Sequence, residues 1–187
     1  LAPQSFPMPP WNAAVVPYGA EMPTGDPQQQ IAAFYDACPA ARGRRFFLYL
    51  GRIHPKKGCD LLIDAFIAIA GDNPDIDLVM AGPDAGMRVG LEARVAAADL
   101  SGRVHWPGLI TGDAKWGAFH ASDTFVLSSH QENFGIAVAE ALGCSRPVLI
   151  SDQVNIWPEI HADGAGLVAP DTLEGTRPLL QKWLALS

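Results

Sequence analysis

From Arg45 onward the chain alternates between apolar runs of strand length and longer segments whose apolar residues recur at helical spacing, and this restricts the fold more than any other feature. Residues 46–50 form a compact run that stops at Gly51. Leu61, Leu62, Ala65, Phe66 and Ile69 then repeat at helical spacing up to Gly71. The pattern predicts further strands at Ile76–Ala81, 104–106, Thr124–Leu127 and 147–150, and helices at 87–98, 111–121 and 136–142. Short strands that are apolar on both faces and separated by helices imply a parallel sheet covered on both sides, a doubly wound α/β domain. In such a sheet ligands sit at the carboxyl ends of the strands, which singles out the loops 51–58, 82–86, 108–113 and 128–135.

The first 44 residues differ. Pro3, Pro7, Pro9, Pro10, Pro17, Pro23, Pro27 and Pro39 exclude regular structure over most of them. They read as a linker and lead-in, with a short helix at 31–37 and a short edge strand entering a turn at 15–19. With 187 residues, 49% of them hydrophobic, the remainder (45–187) is one sizeable domain with a substantial core.

A formal charge of −7 argues against partners held by bulk positive charge, such as nucleic acid or anionic lipid. Yet six of the 13 basic residues (Arg42, Arg44, Arg45, Arg52, Lys56, Lys57) fall between 42 and 57. On charge alone this stretch equally suits a solvated loop. Cys38, Cys59 and Cys144 lack metal-ligand or paired spacing and fit a reducing, cytoplasmic setting. No apolar run approaches a membrane span, there is no signal-peptide pattern, and the chain does not begin with Met.

Two loops carry chemistry. In Gly51-Arg52-Ile53-His54-Pro55-Lys56-Lys57-Gly58, Gly51 is expected to let the chain leave its strand at an unusual dihedral. Arg52 and Lys57 would then place a planar fork and a mobile point charge over one spot, as a diphosphate requires. The second loop runs from Ser128 through Ser129, His130, Glu132, Asn133, Phe134 and Gly135 into an apolar helix that carries Glu140. Its first-turn amides are available to an anion or to sugar hydroxyls, with Gly135 leaving room for approach. Side chains tilt toward a helix's N-terminus, so the Glu140 carboxylate is aimed back at the same loop. A ribose diol offers such a carboxylate two donors, although pairing with an Arg or with backbone amides is the alternative. Asp75-Ile76-Asp77 imitates a metal-binding carboxylate pair, but it lies at the amino end of a strand, away from the ligand edge. The five His share no metal-binding spacing, so no metal and no cofactor are expected; His130, beside Glu132, suits a solvent-exposed loop position.

Glu132 and Glu140 with Phe134-Gly135 between them, preceded by Ser129 and joined to Gly51-Arg52 and Lys57-Gly58 upstream, resemble the family 4 retaining glycosyltransferases of GT-B architecture. The resemblance covers nearly the whole chain, with Val15-Val16-Pro17-Tyr18-Gly19 similar to that family's interdomain linker. It implies a Rossmann-like domain, one half of a GT-B fold, that binds a nucleoside diphosphate sugar, while an N-terminal domain absent from this chain supplies most of the acceptor site. Arg52 and Lys57 would hold the diphosphate, Glu140 the nucleotide ribose, and Glu132 the donor sugar. Asn133, Phe134, Gly135 and Ile136 would line sugar and phosphate, and Gly108 and Leu109 would meet the base. The implied reaction transfers a hexosyl group to an acceptor hydroxyl with retention, the departing phosphate itself taking the acceptor's proton. Alone, the domain is expected to be inactive; peripheral membrane association is left to the absent half. Ser128 stands where the family usually has Pro, Ser145-Arg146 departs from a common Gly, and the family usually continues past Ser187. Rival readings are a sugar-nucleotide epimerase or phosphorylase of similar architecture, and a non-catalytic α/β nucleotide-binding or receiver-like module.

Overall fold

The computed structural model describes residues 19–186. Six strands form one parallel sheet in the order β3-β2-β1-β4-β5-β6. They are β1 (Arg45–Leu50), β2 (Ile76–Ala81), β3 (Val104–Gly108), β4 (Thr124–Leu127), β5 (Val148–Ser151) and β6 (Gly166–Ala169). The helices are α1 (Pro27–Ala37), α2 (Cys59–Ala70), α3 (Arg88–Ala97), α4 (Gly112–Ala121), α5 (Ile136–Gly143), α6 (Trp157–Ala162) and α7 (Leu173–Leu184). Chain order reverses between β1 and β4, which is where a doubly wound sheet opens its ligand crevice. Between the strands, α2 packs against α3 and α7, and α4 packs against α1.

The apolar runs become strands because the helices cover both faces. Every residue of β2, β4 and β5 is buried. β6, an edge strand, is half-buried throughout. It belongs, with α6 and α7, to a region where the alternation is weak. α7 contains Gly175 and, in its interior, Pro178, both unfavourable in a helix. Packing overrides them: Leu179 and Leu180 are buried, and Thr172 caps the helix by accepting from Gly175 N at 3.1 Å.

The segment read as a lead-in is partly built into the domain. Asp26 caps α1 by accepting from Gln28 N at 2.9 Å, so the helix begins at Pro27, four residues before the expected 31. Phe34 is fully buried, with its ring centroid 5.4 Å from that of Phe46 in β1. The packed body therefore starts near Pro27 rather than Arg45, because the first strand's aromatic surface needs this cover. The strand expected at 15–19 lies, apart from Gly19, outside the described residues.

β1 divides the basic stretch. At its amino end Arg44 donates to Asp77 at 2.8 Å and Arg45 to Asp123 at 2.5 Å. Asp77 also accepts from Arg103 at 2.8 Å and pairs with His105 at 2.9 Å, so both of its oxygens are engaged. Burial alone would raise the Asp77 pKa, but the hydrogen bonds from Arg44, His105 and Arg103 together lower it. Asp77 is thus a structural anchor at the edge opposite the ligand crevice. Only Arg52, Lys56 and Lys57 emerge at the carboxyl end.

Candidate active site

The loop after β1 passes through a short helical turn, Pro55–Lys57, and ends at Gly58, whose φ of 61° is left-handed. A Cβ there would lie 1.9 Å from Ser128 O, so only glycine lets this loop touch the one after β4. The contact is locked by hydrogen bonds onto Lys56 O, from His130 N at 2.9 Å and from Ser129 Oγ at 2.8 Å. Ser151 Oγ, at the end of β5, donates in turn to Ser129 O at 2.5 Å. Glu132 is held by its backbone, its N–H donating to Gln153 O at 3.0 Å and its C=O accepting from Asn155 N at 3.0 Å. Three strand ends therefore fix the two loops that carry Lys57 and Glu132.

Between β1 and β4 these loops enclose a cleft of about 360 Å³. Of the expected residues, Gly51, Arg52, Lys57, Glu132, Gly135, Ile136 and Glu140 line it. Tyr49, Leu50, Leu127 and Ala137 complete its walls and were not anticipated, being indistinguishable in sequence from core residues. Asn133 is exposed and Phe134 half-buried, and neither lines the cleft. Gly108 and Leu109 stand apart at the end of β3, with Leu109 69% exposed. They connect to the rim through Gly82, whose N–H donates to Gly108 O at 2.7 Å.

Arg52 is exposed and its guanidinium has no ion-pair partner among the described residues. Lys57 donates from Nζ to Glu132 Oε2, with both side chains about one-fifth exposed. Glu140 is buried on the second turn of α5, and its Oε1 accepts from Lys115 Nζ of α4 at 2.9 Å. The expected alternative for Glu140 was an Arg or backbone amides; the partner is a lysine that sequence reasoning did not find. Beneath the cleft, buried Tyr49 donates from its hydroxyl to Arg52 O at 2.5 Å. Burial, with Cys59 and Glu132 nearby, raises its pKa and keeps it a donor.

One expectation about glycine needs correction, and another gains a second reason. Gly51 has no positive φ; the left-handed residue of that loop is Gly58. Gly51 is small for another reason, since a Cβ would lie 3.2 Å from Tyr49 Oη, the group that fixes Arg52 O. Gly135, at φ 75°, is required by the backbone and by Val138 and Val154, whose methyls would each lie 3.1 Å from a Cβ. Ligand clearance is not needed to explain it. As N-cap of α5 it offers no side-chain hydrogen bond, which leaves the first-turn N–H groups of Ile136 and Ala137 facing the cleft end of the helix.

Fold and site together define a Rossmann-like α/β domain with a polar cleft at its switch point, the architecture of one half of a GT-B enzyme. Residues 36–183 match the family model described as "Glycosyl transferases group 1", and the chain belongs to that family. It is 31% identical over 139 residues to the lipopolysaccharide core biosynthesis mannosyltransferase LpsB of Rhizobium meliloti (strain 1021), covering 70% of this chain and 39% of that protein. The C-terminal domain of a group 1 family protein (LpcC) from Francisella tularensis superimposes with a TM-score of 0.71 at 26% identity, covering 88% of this chain and 85% of that one. WaaG, a glycosyltransferase involved in lipopolysaccharide biosynthesis, shares the fold with a TM-score of 0.71 at 21% identity, over 83% of this chain and 42% of WaaG. The chain thus spans about two fifths or less of the length of the curated relatives it matches. No helix among the described residues is long and apolar enough to cross a membrane.

Proposed function

We propose that this chain is the donor-binding half of a family 4 glycosyltransferase that moves a hexosyl group from a nucleoside diphosphate sugar to an acceptor hydroxyl with retention. The observation that carries this reading is the convergence of Arg52, Lys57, Glu132 and Glu140 on one cleft at the sheet's switch point. The mannosyltransferase activity named for LpsB supports a hexose as the transferred group.

The chemistry is electrostatic. Cleavage of the bond between the anomeric carbon and the diphosphate oxygen leaves charge on the phosphate, which Arg52 and Lys57 stabilise. The acceptor oxygen bonds to the same carbon, and its proton passes to the departing phosphate. Glu132 orients the sugar and Glu140 the ribose, while the free amides at the start of α5 add fixed positive dipoles. The acceptor-binding half belongs to a second domain, so this chain alone binds donor without turning it over.

Calorimetric titration of the chain with UDP, GDP and ADP tests the reading. Weak binding of at least one, abolished by Arg52→Ala combined with Lys57→Ala, is the expected result. No binding of any of the three by the unmutated chain overturns it.

A further inference from the structure

Lys115 occupies a position that helix stability does not explain. It lies in the first turn of α4, where the helix dipole disfavours a cation, and its side chain is only 19% exposed. Its ammonium sits 3.9 Å from the centroid of the Trp116 ring, and Trp116 is itself buried in the core. A lysine drawn out of water over an aromatic face needs a strong partner, and Glu140 Oε1 at 2.9 Å is that partner. The dependence is mutual. Glu140 is 7% exposed and lines the cleft, and no second side chain or backbone group pairs with its carboxylate among the described residues. One oxygen is thereby occupied and held, which leaves Oε2 as the oxygen available to a ligand.

The pair also joins two parts of the site. Lys115 follows Gly108 and Leu109 on the β3–α4 segment, whereas Glu140 belongs to α5 on the far side of β4. We propose that Lys115 is a positioning residue for nucleotide recognition: by pinning Glu140 it sets the carboxylate's orientation toward a ribose diol, so that the chain discriminates ribonucleotides from nucleotides lacking ribose hydroxyls. This rests on the donor-binding reading above. Lys115 touches no ligand in this scheme and acts through Glu140.

The test titrates the whole chain and its variants with UDP, GDP and ADP and with the 2′,3′-dideoxy form of each. The unmutated chain favours the ribose forms. Lys115→Met weakens ribose-form binding roughly tenfold, the equivalent of one charge-assisted hydrogen bond, and leaves dideoxy binding unchanged. Lys115→Arg restores most of the preference. Adding Lys115→Met to Glu140→Gln causes no further loss, because the two act as one unit. A Lys115→Met chain that keeps the unmutated ribose-to-dideoxy ratio, or that loses both ligands equally, overturns the inference while leaving the donor-binding reading intact. Failure of the unmutated chain to bind any of the six nucleotides overturns both. Thermal midpoints measured in parallel identify loss through unfolding, and Lys115→Arg then carries the comparison: an intact Arg variant that lacks the preference also refutes the role.

Discussion

Glu132→Gln is expected to tighten the binding of a nucleoside diphosphate, although it alters a residue that lines the candidate cleft. Lys57 donates to the Glu132 carboxylate in this structure, so one of the two cations proposed to hold a diphosphate is partly neutralised by its neighbour. The two side chains are 22% and 20% exposed, which makes the pair stronger than a surface salt bridge and weaker than a dry one. Charge-assisted hydrogen bonds contribute about 1.5–3 kcal/mol, and the remaining exposure reduces that to about 1–2 kcal/mol. Glutamine keeps the size and one acceptor oxygen but releases the charge, so the phosphate no longer competes with a carboxylate for Lys57. At about 1.4 kcal/mol per decade, affinity rises roughly 5- to 30-fold. Calorimetric titration of both proteins with UDP, GDP and ADP at one low ionic strength reads the change directly, and added salt shrinks it. For the corresponding sugar-bearing donors the gain is smaller, because Glu132 is also the proposed partner of the sugar. Equal or weaker nucleoside diphosphate binding by Glu132→Gln refutes the argument that the Lys57–Glu132 pair opposes the phosphate.

Three further predictions concern stability. Asp77→Asn is expected to destabilise the fold by about 2–4 kcal/mol in urea unfolding, since Arg44, Arg103 and His105 lose one shared buried anion. The folded-state pKa of Asp77 lies below its unfolded value, so its contribution is present above the unfolded value and lost as pH falls through the folded one. The stability difference between the two proteins therefore narrows below about pH 4, and a difference that widens there would contradict the assignment. Ser145 has φ 56°, a left-handed conformation that costs a non-glycine residue about 1 kcal/mol, so Ser145→Gly raises the thermal midpoint by roughly 2–4 °C; a lower midpoint shows that the strain is not there. Ser128 Oγ is buried without a hydrogen-bond partner among the described residues, and Ser128→Ala is expected to be neutral or to stabilise by up to about 1 kcal/mol in the same unfolding assay, a clear loss of stability counting against it.

The β1-to-β5 half of the fold was legible because strands buried on both faces must be apolar along their whole length, so their runs stand out against amphipathic helices. The remainder was not. β6 is four half-buried residues on a sheet edge, and α7 is a helix only because Leu179 and Leu180 are buried against the body. At the site, Arg52, Lys57 and Glu132 were readable as charges placed after strand ends, whereas the apolar walls at Tyr49, Leu50, Leu127 and Ala137 were not. The unusual dihedral expected at Gly51 lies at Gly58 instead, and the backbone demand at Gly135 was not readable, because a glycine in sequence does not say whether φ, a neighbour's hydroxyl or a ligand demands it.

Sequence alone determined the doubly wound sheet and the edge of it on which a ligand site must lie, since both follow from local periodicity and strand direction. Which charges face which was decided only in three dimensions. Arg44, Arg45, Arg52 and Lys57 are neighbours in the chain, yet β1 carries the first two to one end of the sheet and the last two to the other. Lys115 and Glu140 lie on different helices, one before β4 and one after it, and meet only in the folded chain. A charge pair is set by distance and burial, and both are properties of the packed chain rather than of residue order.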